Sequence, residues 1–97
     1  MRSAALALMV AVAGCGGPWL PRATDADARR SGTDLASLAR GRELLVGHCS
    51  SCHLTPSPRD HAAAQWPTEV AEMQERSKLG PADVALITQY LVAFADR

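Results

Sequence analysis

The chain has 97 residues, with ten Lys and Arg against ten Asp and Glu, and only four aromatic side chains among Trp, Tyr and Phe. This length allows one domain at most, and the balanced charge gives neither the basic excess of a nucleic-acid binder nor the acidic tail of a disordered chain. A domain so small and so poor in large side chains buries little apolar surface, so we expect a disulfide, a metal or a cofactor to stabilise it.

The N-terminal residues 1–14 are typical of a secretory signal. Arg2 is their only charge, and an unbroken apolar run follows at residues 4–13. This run is too short to cross a bilayer as a permanent helix. A charged start, a short apolar stretch and then small residues form the signal-peptide pattern.

The end of this segment, Val-Ala-Gly-Cys at residues 12–15, resembles a bacterial lipobox. The resemblance implies cleavage before Cys15 and a diacylglycerol on its thiol. The mature protein would then hang from a membrane on the periplasmic side of a bacterial cell envelope. The alternative is an ordinary signal peptide followed by an incidental cysteine.

Residues 15–33 are predicted to be the lipidated N-terminus and a flexible tether. Residues 16–33 hold three Gly, two Pro and mixed charges, without a helical or strand period. Their contour approaches roughly 60 Å at about 3.3 Å per residue, and a flexible coil of this length averages about 25 Å. A domain on such a tether could swing over the membrane to meet a partner.

The organised domain is predicted at residues 34–97, and its first helix at about residues 34–47. Thr33 is a suitable N-cap, and Asp34 suits the first turn. One face of this helix is apolar, with Leu35, Leu38, Ala39 and Leu45. Gly41 lies inside the pattern, and a mid-helix glycine costs about 0.5–1 kcal/mol relative to Ala. We therefore expect a close backbone approach at Gly41.

Two further helices are predicted after the turn-forming residues 54–60, LTPSPRD. The second begins near Trp66, with Pro67 in its first turn, and Trp66, Val70 and Met73 share one face. The third begins with Gly80 as cap and Pro81 at the first helical position. Its apolar residues recur at helical spacing, at Val84, Ile87, Leu91 and Phe94.

The segment Cys-Ser-Ser-Cys-His at residues 49–53 is the C-x-x-C-H pattern of c-type haem attachment. The two thiols would add across the two haem vinyl groups, and His53 would supply the proximal nitrogen to iron. An alternative is a zinc site that takes Cys49 and Cys52 with one or two of the histidines, His48, His53 and His61. A redox dithiol is the other alternative, but it needs a βαβ context that the sequence does not show.

The surrounding residues resemble the class I cytochromes c. Their signature, a Gly, a large apolar residue and C-x-x-C-H at fixed spacing, is matched by Gly41, Leu45, Cys49, Cys52 and His53. The resemblance implies an all-α fold, with about three main helices wrapped around one covalent haem c. It also implies that the N-terminal and C-terminal helices cross closely at the glycine. The apolar and aromatic end of the C-terminal helix is matched by Ile87, Tyr90 and Leu91.

Class I cytochromes usually place a methionine sulfur opposite the histidine, and Met73 is the only Met after the signal. It is therefore the predicted sixth ligand, with His61 as the competitor and ordinary core packing as the alternative. His48 is expected on the solvated surface. Trp66 is expected to pack on the haem or in the core. Pro56 or Pro58 is a candidate for shaping the loop whose carbonyl accepts the Nδ1–H of His53.

This reading predicts a membrane-tethered electron carrier rather than an enzyme. His and Met ligation suits one-electron transfer, and no acid–base pair or substrate pocket accompanies the motif. The expected partners are redox proteins such as a dehydrogenase, an oxidase or a respiratory complex, with no nucleic acid. The alternatives are a haem-based gas or redox sensor, a peroxidase-like domain with a displaceable sixth ligand, and a structural lipoprotein without haem.

Overall fold

The computed structural model describes residues 18–49 and 55–97, which form helices and turns without a β-strand. The helices are α1 at Asp25–Ser31, α2 at Leu35–Cys49, α3 at Trp66–Ser77 and α4 at Pro81–Ala95, with two short 3₁₀ segments at Pro58–Asp60 and Ala63–Gln65. The predicted all-α class is confirmed. The three predicted helices are present as α2, α3 and α4, and α1 is an additional one.

Helix α2 begins one position later than predicted. The carboxylate of Asp34 accepts hydrogen bonds from the backbone N–H of Ser37 (3.0 Å) and from its hydroxyl (2.7 Å). Asp34, rather than the predicted Thr33, thus occupies the capping position, because its side chain reaches an unpaired N–H of the first turn. These bonds to Ser37 hold the pKa of Asp34 below its usual value.

Helices α3 and α4 begin where their prolines predict. Pro67 lies in the first turn of α3, and Pro81 follows the Gly80 cap of α4. Neither proline removes a needed hydrogen bond, because the first N–H groups of a helix have no partner inside it. Helix α3 ends at Ser77, and its C-cap residue Lys78 adopts a left-handed conformation with φ of 55°.

In the described part of the chain, an apolar cluster joins α2, α3 and α4. Its buried members are Leu44, Leu45, Trp66, Val70, Leu79, Ile87, Tyr90, Leu91 and Phe94. The closest packing is between α2 and α4 at Gly41. A Cβ at this glycine would overlap the carbonyl oxygen of Leu86 and would lie 2.9 Å from the Cβ of Tyr90. The expected close approach at Gly41 is confirmed.

Part of the segment predicted to be a flexible tether is helical, because residues 25–31 form α1. Thr24 and Asp27 form a capping box at the start of α1, and Gly32 ends it with φ of 71°. Helix α1 contains only Ala, Asp, Arg and Ser, so it has no apolar period to reveal it. Its order comes from the capping box and from contacts with distant parts of the chain.

The N-terminal clasp, defined as residues 18–31, is bound to the core helices through three consecutive carbonyls. The carbonyl of Trp19 accepts from Ser57 Oγ (3.0 Å), and that of Leu20 accepts from Arg42 Nε (3.0 Å). The carbonyl of Pro21 accepts from Tyr90 Oη (2.7 Å). The donors come from the turn before Pro58–Asp60, from α2 and from α4, so residues 19–21 are hydrogen-bonded to three separate elements.

Asp27 connects α1 to Arg97, which lies just beyond the end of α4. Its side chain is 3% exposed and accepts hydrogen bonds from Thr24 N (2.8 Å), Arg30 Nη1 (2.8 Å) and Arg97 Nη1 (2.5 Å). Burial alone would raise the pKa of Asp27, but the bonds from Thr24 and Arg30 and the charge of Arg97 outweigh it and lower the pKa to about 2. The carboxylate is therefore charged and paired in the folded protein.

Candidate functional site

Cys49, the first cysteine of the C-x-x-C-H segment, is the last residue of α2. Its side chain is half-buried and packs against the apolar cluster. Cys52 and His53 lie outside the described residues, and so does the predicted lipidation site Cys15. The start of the motif therefore lies at the edge of the core, directly after the helix that carries Gly41.

Met73, the predicted sixth ligand, packs against the same apolar cluster from α3. Trp66 and Val70, its predicted neighbours on one helix face, are each 1% exposed, whereas Met73 is half-buried. Its carbonyl accepts a hydrogen bond from Ser77 Oγ (2.8 Å). Two sulfur-bearing side chains, Cys49 and Met73, thus border one cluster from two different helices.

Trp66, the first residue of α3, is buried in the core beside the preceding turn. Its indole Nε1 donates to the carbonyl of Pro58 (3.0 Å), so the polar end of this buried ring is paired. Pro58 is itself buried. The structure thus gives Trp66 a core position. Packing of Trp66 on a haem stays a prediction, as does a loop role for Pro56 or Pro58 toward His53.

His61, the competing ligand candidate, lies beside the first turn of α3. Its ring meets the ring of Trp66 edge-on, with centroids 4.9 Å apart, and its Nε2 lies 3.7 Å from Glu69 Oε2. His61 is about one-third exposed. His48 is exposed near the end of α2, as predicted.

No group of three or more His, Cys, Asp and Glu side chains is placed to hold a metal ion within residues 18–49 and 55–97. The zinc alternative draws on Cys52 and His53, which lie outside these ranges. Of the groups that a c-type haem would use, the described residues supply one half-buried cysteine and one half-buried methionine on one apolar cluster.

Sequence reasoning missed the residues that hold the N-terminal clasp, chiefly Arg42, Ser57 and Tyr90. The sequence pattern marks Tyr90 only as an apolar and aromatic match, yet its hydroxyl donates to the carbonyl of Pro21. Burial raises the pKa of Tyr90 to about 12, against the opposing effect of the Arg42 guanidinium. The spacing Thr24-x-x-Asp27 followed by Gly32 is the signal that could have revealed α1.

Comparisons of the chain with protein-family profiles, with curated proteins and with solved structures found no match. Among the helices in the described parts of the chain, none has the length and apolar character that crossing a bilayer requires.

Proposed function

We propose that this chain is a lipid-anchored, mono-haem c-type cytochrome that carries single electrons between redox proteins outside the bacterial cytoplasm. The observation that carries the proposal is the C-x-x-C-H segment at residues 49–53, which begins at the last residue of α2. Eight residues before Cys49, Gly41 brings α2 into backbone contact with α4. The motif and this helix crossing are both expected of class I cytochromes c.

Each residue of the proposed site has a distinct role. Cys49 and Cys52 would bind the haem through thioethers, and His53 and Met73 would be its iron ligands. Haem would supply a one-electron redox centre, and a methionine ligand raises its potential. The apolar cluster against which Cys49 and Met73 pack would keep water from the ligands and favour the less charged state of the centre.

The proposed location follows from the N-terminal segment. Cleavage before Cys15 and lipidation of its thiol would hold the domain at the periplasmic face of a membrane. The partners would be a dehydrogenase, an oxidase or a respiratory complex. The absence of a charge excess, ten basic against ten acidic side chains, favours partner recognition by shape and local contacts over long-range steering.

The test is expression of the full chain in a bacterium that attaches haem to periplasmic proteins. Extraction with acid and acetone should leave the pigment on the polypeptide, and an optical spectrum should show a low-spin cytochrome c. The double variant Cys49→Ala/Cys52→Ala should be colourless and largely unfolded, because a domain this small would depend on haem for its stability.

Cys15→Ser is the matched control, because it removes a cysteine outside the motif. It should leave the haem attached while the precursor stays uncleaved or is mislocalised. A double variant that keeps haem resistant to extraction would rule out the proposed attachment. Wild-type protein recovered with an unmodified N-terminus well downstream of Cys15 would rule out the proposed anchor.

A further inference from the structure

The chain between Cys15 and the folded domain is short. Cys15 precedes Pro18 by three positions, and from Trp19 onward the N-terminal clasp is bound to the core helices. Consecutive Cα atoms are 3.80 Å apart across a trans peptide, so the Cα atoms of Cys15 and Pro18 can be separated by no more than about 11 Å. This limit is far below the reach of a tether that continued to residue 33.

The clasp is attached to the domain at several independent points, so one weak contact does not decide its position. The three carbonyls of residues 19–21 are bound by Ser57, Arg42 and Tyr90. Asp27 adds the ion pair with Arg97, and Arg30 Nη2 donates to the carbonyl of Ala93 (3.1 Å). Release of residues 18–31 would break all of these together.

The point at which the chain enters the domain is bordered by the side chains of Trp19 and Arg59 and by the backbone of Arg97. The guanidinium of Arg59 lies 3.7 Å from the centroid of the Trp19 ring, and Arg59 Nε donates to the carbonyl of Arg97 (2.8 Å). The Trp19 ring also meets Phe94 edge-on, with centroids 6.2 Å apart. We call the surface formed by Pro18, Trp19, Arg59 and Arg97 the entry edge.

We infer that the entry edge lies against the phospholipid headgroups and that the domain does not swing on a long tether. The inference rests on the proposed lipidation of Cys15. A lipid on Cys15 fixes that residue at the bilayer surface, and the three intervening peptide units keep Pro18 within about 11 Å of it. Tryptophan and arginine suit this position, because each joins an apolar body to a polar end that stays at the interface.

The covalent lipid, rather than charge, holds the entry edge at the bilayer. Asp27 neutralises part of the charge of Arg30 and Arg97. In the sequence, the exposed Asp60 follows Arg59, and the exposed Asp96 precedes Arg97. The edge therefore has no strong positive excess, and its contact with lipid should persist at high salt. A redox partner would have to present its docking surface close to the membrane.

Photo-crosslinking of the lipidated protein to vesicles tests this placement. Arg59 is exposed at the entry edge and is replaced by the photoreactive residue p-benzoylphenylalanine. In vesicles of phosphatidylcholine and phosphatidylglycerol, irradiation should give a phospholipid adduct at position 59, in low and in high salt. The matched control inserts about 20 Gly and Ser residues between Gly17 and Pro18, which adds a mean span of about 25 Å. This insert should abolish the adduct.

The same sample separates this inference from the proposed function. Mass spectrometry reports the lipid on Cys15, and the spectrum reports the haem. A lipidated protein without an adduct, or an adduct that survives the insert, would overturn the inference alone. An unmodified Cys15 would overturn the inference together with the anchor. A colourless protein that still crosslinks would overturn the haem and leave the inference standing.

Discussion

Gly41 of α2 lies against the backbone carbonyl of Leu86 in α4, so closely that even one methyl group would overlap the oxygen. The same methyl group would lie 2.9 Å from the carbonyl carbon of Leu86 and from the Cβ of Tyr90. Backbone atoms and a Cβ cannot rotate away as the end of a flexible side chain can. The separation of α2 and α4, and with it the position of Cys49 at the end of α2, therefore depends on this glycine.

Gly41→Ala should destabilise the protein by about 1–3 kcal/mol, because α2 and α4 must move apart to admit the methyl group. This cost exceeds the gain of up to about 1 kcal/mol that alanine brings to a helix. The measurement is the free energy of unfolding in denaturant. Gly47→Ala in the same helix is the control, since nothing lies within 4 Å of its Cβ position. It should be neutral or stabilising, and equal losses at both sites would contradict the packing argument.

Asp27→Asn should loosen the N-terminal clasp, because it removes the charge that Arg30 and Arg97 share. Asp25→Asn, in the same first turn but exposed, should have a much smaller effect. Hydrogen exchange of α1 amides gives a direct reading, with faster exchange expected for Asp27→Asn. Similar exchange in the two variants would show that the buried carboxylate does not hold α1.

The low pKa of Asp27 also predicts acid sensitivity. The pKa is about 2 in the folded state and about 3.9 in an unfolded chain, so the contribution of Asp27 is complete above about pH 5 and is lost as the pH falls through about 2. The loss of stability over this range should be smaller in Asp27→Asn than in the wild type. Denaturant unfolding measured at several acidic pH values checks this difference, and parallel curves would exclude Asp27 as the cause.

Tyr90→Phe should cost about 1 kcal/mol, because it leaves the Pro21 carbonyl without the hydroxyl that now donates to it. Thr88→Val on the same helix is the control. Its hydroxyl donates to the Val84 carbonyl (2.7 Å), which the backbone of α4 already satisfies, so this change should stay within about 0.5 kcal/mol.

Tyr90 is the only tyrosine, and NMR of a ¹³C-labelled ring should show its pKa near 12. Its contribution to stability should be complete below the unfolded pKa of about 10 and should be lost as the pH rises from about 10 to about 12. A pKa near 10 would contradict burial of the hydroxyl.

Local signals predicted α3 and α4 well. Pro67 and Pro81 mark their first turns, and the spacing of Trp66, Val70 and Met73 gave the correct inward face of α3. These signals depend on residues that are close together in the sequence, so they can be recognised without knowledge of the tertiary structure. The same is true of the close approach at Gly41, which a glycine inside an otherwise good helix suggests.

The N-terminal clasp was not predicted because its stability comes from contacts over long sequence distances. Pro21 is bound by Tyr90, and Asp27 by Arg97. Its first residues read as a proline-rich linker, and the alanines of α1 give no apolar period. For the candidate site, the sequence placed Met73 on the correct face. The ligand set remains a prediction, since Cys52 and His53 lie outside the described residues.

The role of Met73 separates a carrier from a sensor. Met73→Leu keeps an apolar side chain of similar volume against the core cluster, so packing should change by less than about 1.5 kcal/mol while the sulfur is lost. If Met73 is the sixth ligand, the oxidised wild type should show a weak near-infrared band from sulfur bound to iron. The reduced wild type should bind carbon monoxide poorly. Met73→Leu should then lose the band, bind carbon monoxide readily and have a lower potential.

His61→Ala is the matched control, because it removes the competing ligand candidate while leaving Met73 in place. His61 contacts the edge of Trp66 and approaches Glu69, so its loss should affect local packing slightly and the spectrum hardly at all. If His61→Ala loses the native spectrum while Met73→Leu keeps it, His61 rather than Met73 would be the sixth ligand. The reduced wild type could instead bind carbon monoxide readily, and neither variant could alter this binding. The iron would then have an open or easily vacated position before any residue was changed. This result would favour a sensor over a carrier.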